Sequence, residues 1–121
     1  VQKVLGFGGF FFRARDPAGL ASWYERHLGI APMPAKQDDP VWAQQAGPTV
    51  FAPFPEDTDY FGAGRAFMLN FRVADLDAMV AALREAGVEV TLMADADPNG
   101  RFARLHDPEG TSVELWEAPQ A

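Results

Sequence analysis

The chain contains no cysteine. That excludes disulfides, thiolate nucleophiles and cysteine-based zinc or iron–sulfur sites, and leaves the redox compartment open. Positive charge is scarce: ten Lys and Arg face seventeen Asp and Glu, a formal charge of -7, with no basic run. Phosphate backbones need clustered cations, so the charge argues against a general nucleic-acid role, and the acidic surface should keep the protein soluble instead. Long apolar runs are missing too. The longest, near the start, falls well short of the ~20 residues a membrane helix needs, and no signal-like basic segment precedes it. A cytoplasmic protein without a membrane partner is the expectation. Histidine is limited to His27 and His106.

What is present is one domain's worth of chain, expected to span 1–121, with 48% hydrophobic residues to build a core. Eleven glycines and ten prolines point to many turns and therefore to much sheet. The opening "VQKVLGFGGFFFRARD" reads as an aromatic strand. It runs into "PAGLASWYERHLGI", where Asp16 can cap a helix, Pro17 suits its first position and Gly29 can end it in a left-handed turn. Leu20, Trp23, Tyr24 and Leu28 make one apolar stripe.

The second half repeats this grammar. "RAFMLNFRVAD" reads as a strand and "LDAMVAALREAGVEV" as a helix capped by Asp75, striped by Met79, Val80, Leu83 and Ala86 and stopped at Gly87. "FRARD" and "FRVAD" lie 59 residues apart, about half the chain. Short strand-like pieces follow each helix: "APMPAK", "VWAQQ" and "PTVFAPF" in the first half, "VEVTLM", "RFARLH" and "TSVELWE" in the second, the last two joined by "DPEG". The expected class is α+β, with two tandem βαβββ modules at 4–56 and 65–118 joined by 57–64. Chance similarity of two strand–helix pairs is the plain alternative. The connection, within "PFPEDTDYFGAG", mixes turn formers and acids with aromatics and reads as a linker, a lid or an interface element.

Strand alternation assigns faces. Gly9, Phe11 and Arg13 share one side of the opening strand; Met68, Asn70 and Arg72 share one side of its counterpart; Ser112, Glu114 and Trp116 share one side of the last strand. Phe102, Arg104 and His106 have common parity. Opposite them on the two leading strands, Phe10, Phe12 and Ala14, and Leu69, Phe71 and Val73, are wholly apolar and should meet the helices, while Val113 and Leu115 share the other side of the last strand. The mixed side suits the wall of a polar-edged cavity, or else ordinary exposed sheet.

The paired "D-x-helix-LG" and "DPEG-x-x-x-EL" patterns resemble the vicinal oxygen chelate superfamily, which includes glyoxalase I, extradiol dioxygenases, fosfomycin-resistance transferases and bleomycin-binding proteins. The resemblance covers nearly the whole chain. It implies a mixed sheet curled into a cup with helices outside, a ligand site within, and a homodimer. It places the four metal-ligand positions of metal-dependent members on Gly9, Phe51, Met68 and Glu114. Only Glu114 is a plausible ligand, and one carboxylate does not make a site. No metal and no other cofactor is therefore expected. In glyoxalase I the counterpart of Arg13 helps hold a substrate carboxylate, which implies a small anion or acid as one candidate ligand.

The leading expectation is a metal-independent, glyoxalase-like or bleomycin-resistance-like protein that binds a small organic molecule. Phe11, Phe51 and Trp116 would supply apolar contacts, and Asn70, Glu114 and the arginines Arg13, Arg72 and Arg104 would orient it. A second reading is a lyase or isomerase in which Glu114 abstracts a proton, an arginine or Asn70 steadies the enolate, and His106 is a weaker proton-transfer candidate. A third is an interaction protein with a closed cup. His27 reads as a helix C-terminal residue favoured by the dipole.

Overall fold

The computed structural model describes residues 1–93 and 97–119. The expected domain span of 1–121 thus includes five positions outside the described residues. Helix α1 (Pro17–Leu28) and α2 (Leu76–Glu85) form where the caps demand: Asp16 accepts from the Gly19 amide and Asp75 from the Ala78 amide. Each ends on a left-handed glycine, Gly29 at φ 72° and Gly87 at φ 86°. Beyond α2 the Gly87 amide donates to Arg84 and the Val88 amide to Leu83, which satisfies carbonyls the helix leaves open.

Strands β1 (Leu69–Arg72), β2 (Thr91–Leu92), β3 (Arg101–His106) and β4 (Ser112–Glu117) form one mixed sheet in the order β1-β4-β3-β2. β1 runs parallel to β4, while β3 is antiparallel to both β4 and β2. The second half is therefore one βαβββ unit.

Both helices lie on one face of this sheet. Leu20, Trp23 and Tyr24 of α1 and Leu76, Val80 and Leu83 of α2 share a core with Ala103, Leu105, Val113 and Leu115. Val113 and Leu115 are positions that alternation set opposite Glu114, and Leu69, Phe71 and Val73 pack against the same core as expected, whereas Phe10 and Phe12, assigned to the helix side, are exposed. Tyr24 meets Phe71 of β1 edge-on, with ring centroids 6.3 Å apart.

The DPEG turn clasps α1 to the sheet. The buried Tyr24 hydroxyl donates to Asp107 at 2.7 Å, and the other Asp107 oxygen accepts from the amides of Glu109 and Thr111. The Glu109 carboxylate then accepts from the Arg15 and Asp16 amides, which holds it below the ordinary carboxylate range. Gly110, at φ 88°, closes the turn against Arg65, whose guanidinium donates to the Glu109 carbonyl at 2.9 Å.

The first half differs from expectation. It supplies α1, but residues 4–16, 31–36, 41–45 and 48–54 carry no strand. Six of the ten prolines fall between residues 31 and 55, and each removes a backbone donor that a ladder would use. A strand also needs a partner edge, and among the described residues none of these segments pairs with one. Phe10, Phe12 and Phe67 cluster, with centroids 5.1 to 5.7 Å apart, at the junction of this segment with the sheet. Fourteen large apolar or aromatic side chains among residues 1–60 remain exposed.

Candidate functional site

On the face away from the helices, register aligns Asn70, Glu114, Arg104 and Thr91 in one row across β1, β4, β3 and β2. The next row holds Arg72, Trp116 and Phe102, and His106 pairs with Ser112 on the other side. This is the mixed face expected from alternation. Although it faces away from the core, β4 is nearly closed to solvent, with the Glu114 side chain 7% exposed.

A carboxylate so buried requires donors. Asn70 donates its amide to Oε1 of Glu114 at 2.8 Å. The hydroxyl of Tyr60 donates to Oε2 at 2.5 Å, and an Arg104 guanidinium nitrogen lies 3.7 Å from the same oxygen. Arg104 also donates to the Tyr60 carbonyl at 2.9 Å, and its guanidinium carbon sits 4.7 Å from the centre of the Tyr60 ring. Its Nε is buried and has no hydrogen-bond partner among the described residues. Burial and the neighbouring Glu114 raise the Tyr60 phenol above its ordinary range, so it stands as a donor at neutral pH.

Tyr60 lies on the connection between the halves and is the site residue that motif reading missed. The available signal was an aromatic pair, Tyr60 and Phe61, inside an otherwise polar linker. Phe54 packs against both rings, with centroids 5.5 and 5.6 Å away.

The other candidates fall in different places. Trp116 is buried, stacks parallel to Phe102 at 6.2 Å and donates its indole N–H to the Asn99 carbonyl at 2.7 Å. Arg72 is engaged by the first half, donating to the Gln45 carbonyl at 2.7 Å. His106 is exposed, with Nε2 3.3 Å from the Ser112 hydroxyl oxygen. Phe11 and Phe51 stand 88% and 78% exposed, Phe51 against Phe7, and Arg13 is exposed in a stretch without strand. The row thus unites Asn70, Glu114 and Arg104 and adds Tyr60, while Phe11, Arg13 and Phe51 remain on the open first half. His27, in the last turn of α1, packs against Trp23 with centroids 5.3 Å apart.

The side chains do not fit a metal. Gly9 and Phe51 offer no donor atom, Met68 is a thioether, and Glu114 is committed to Asn70 and Tyr60. Among the described residues no three His, Cys, Asp or Glu side chains gather in a way that could hold an ion. A depression of about 570 Å³ beside the α2–β2 turn is lined by Arg84 and residues 87–91, and neither Asn70, Arg104 nor Glu114 borders it.

A sheet of order β1-β4-β3-β2, helices on one face and a polar row on the other define a glyoxalase-like class of chain. The family model described as a glyoxalase-like domain matches residues 9–116, so the chain belongs to that family. Two solved structures share the fold. One is TioX from Micromonospora sp. ML1, at 18% identity and TM-score 0.52, covering 89% of this chain and 92% of that one. The other is a protein assigned to the glyoxalase family from Bacillus anthracis, at 21% identity and TM-score 0.51, covering 84% of each chain. A biphenyl-2,3-diol 1,2-dioxygenase from Sphingomonas paucimobilis is 41% identical over 59 residues, 43% of this chain. The match spans a fifth of that enzyme's length.

Proposed function

We propose that the chain binds a small organic molecule on the Asn70–Glu114–Arg104 row without a metal. The observation that carries this is a buried carboxylate on the sheet face opposite the core, held by Asn70, Arg104 and a linker tyrosine. Buried charge away from the core costs stability unless it serves something, and convergent polar groups among aromatic rings are the usual make-up of a small-molecule seat. Arg72 is occupied by the Gln45 carbonyl and Arg104 by Glu114 and Tyr60. That engagement favours a neutral, donor-bearing ligand over the small acid that the sequence resemblance implies.

The cup itself belongs to this proposal. Curling the aromatic first half over the row would bring Phe11 and Phe51 toward Trp116, and a second copy of the chain would cover the exposed apolar side chains of residues 1–60. The lyase or isomerase reading is favoured by one arrangement: Arg104 and Asn70 stand beside Glu114 where an enolate would form. A base must first release the Tyr60 hydroxyl from Oε2.

The test is a screen of small organic molecules by Trp fluorescence and thermal shift, on wild type and Glu114→Gln, with metal content measured by mass spectrometry. Binding that weakens in Glu114→Gln and survives chelation supports the reading. Near-stoichiometric metal, or hits indifferent to Glu114, overturns it. Exchange of an α-proton into deuterated water by a bound carbonyl compound, lost in Glu114→Gln, would move the conclusion to proton transfer.

A further inference from the structure

Tyr60 is held as a ligand would be. Its ring lies over the Arg104 guanidinium, Phe54 packs against that ring, and its hydroxyl donates to Oε2 of Glu114. Yet Tyr60 belongs to neither a helix nor a strand, and the residue is 42% exposed. It sits between two turns, one closed by the Thr58 amide on the Pro55 carbonyl and one by the Arg65 amide on the Gly62 carbonyl. Gly64, at φ 76°, follows, and Arg65 ties the far end to the Glu109 carbonyl. The segment is therefore anchored at Arg65, while Tyr60 is attached to the sheet through the Glu114–Arg104 pair.

From this arrangement we infer that residues 57–64 form a strap whose Tyr60 side chain is a tethered occupant of the Glu114 seat, and that the molecule displacing it is a phenol. The inference rests on the reading of the Glu114 row as a binding site, and deepens it by naming ligand class and gate. The chemistry follows from what Tyr60 presents. The seat accepts one flat ring against a guanidinium, and one O–H donor for Oε2; Oε1 is already satisfied by Asn70. A carboxylate ligand would face Glu114 with like charge and no proton to donate. An aromatic hydrocarbon would fill the ring position and leave Oε2 without its hydrogen bond, a costly outcome at a buried charge. A phenol meets both demands. Arg104 Nε, covered and without a partner among the described residues in the strapped state, would then donate to a second oxygen on the incoming ring.

The strap competes with the ligand for one seat. A tethered group acts at high effective concentration, and the apparent affinity of any competitor falls with the fraction of molecules that are open. The hydrogen bond to Glu114 and the ring over the Arg104 guanidinium together bias that fraction by about tenfold or more, so removing the whole tyrosine should strengthen binding of a free phenol by at least about that factor.

The experiment uses the full chain and p-cresol, the tyrosine side chain as a free molecule. Toluene lacks the donor and benzoate replaces it with a carboxylate. Affinities for wild type, Tyr60→Ala and Tyr60→Phe are read by Trp fluorescence, with circular dichroism confirming the fold of each. The expected result is p-cresol binding at least about tenfold tighter to Tyr60→Ala than to wild type, with Tyr60→Phe between them. In Tyr60→Ala, p-cresol should exceed toluene and benzoate, and adding Glu114→Leu should erase that preference. Equal p-cresol affinity in wild type and folded Tyr60→Ala, still dependent on Glu114, overturns the strap and leaves the binding reading intact. A Tyr60→Ala variant that prefers toluene or benzoate overturns the phenol assignment. If p-cresol fills Tyr60→Ala but no compound in the wider screen displaces Tyr60 from wild type, the binding reading falls and the displacing phenol with it, leaving Tyr60 as a fixed occupant of the seat.

Discussion

Replacing Tyr24 with Phe tests the clasp between α1 and the DPEG turn. The substitution leaves the ring and its contacts with Trp23 and Phe71 in place and removes only the hydroxyl. Asp107 is 4% exposed, so water cannot readily replace the lost donor; its other oxygen keeps the amides of Glu109 and Thr111. A hydrogen bond to a charged group is worth about 1.5–3 kcal/mol, and no cavity is created to add to it. The expected loss is therefore about 2 kcal/mol in urea unfolding, with an unchanged m-value. For a domain of this size that corresponds to roughly 5–10 °C in Tm. The internal control is Tyr60→Phe, which also removes a phenol–carboxylate bond, but from a residue 42% exposed on the linker. It should cost less than about half as much, because solvent competes there. A Tyr24→Phe variant within about 0.5 kcal/mol of wild type would refute the clasp, as would equal losses in the two variants.

Acid should loosen the same region. Two backbone amides depress the Glu109 carboxyl, so its unfolded value is the higher one; its contribution is complete above ~4.3 and fades as pH falls through the lower folded value. Glu109→Gln should flatten that acid limb in pH-dependent thermal unfolding without altering the neutral-to-alkaline side. Leu115→Ala, at a fully buried position of β4, should cost about 2–5 kcal/mol by denaturant titration. Gly87→Ala forces a side chain into φ 86° and should cost about 1 kcal/mol, readable in the same assay. If a second copy covers the apolar first half, light scattering will report a dimer, and charged substitutions at Phe11 and Phe51 will shift it toward monomer.

Much of this chain is governed by residues within a few positions of one another. Asp16, Gly29, Asp75 and Gly87 bound the two helices as their chemistry requires, since a cap and the amide or carbonyl it satisfies are at most a few residues apart. Alternation in β4 likewise separated Val113 and Leu115, which lie in the core, from Glu114 on the other side, because a strand's faces are set by parity alone. Where the pattern predicted strands in the first half, it spoke only of which residues tolerate extended backbone. A strand forms when another edge meets it, and the prolines of residues 31–55 make that meeting harder. Partnerships over long separations lie further out of reach. Tyr60 meets Glu114 across 54 residues, Tyr24 meets Asp107 across 83, and the Asp16 amide meets Glu109 across 93. No periodicity encodes such pairs; they follow from the path the chain takes once its core has closed. The sequence alone therefore determined the family, the helices and the face on which Glu114 stands. Only the tertiary structure decided that a linker tyrosine occupies that carboxylate and that the DPEG turn serves to clasp α1, because both depend on desolvation and on distances that exist only in the packed chain.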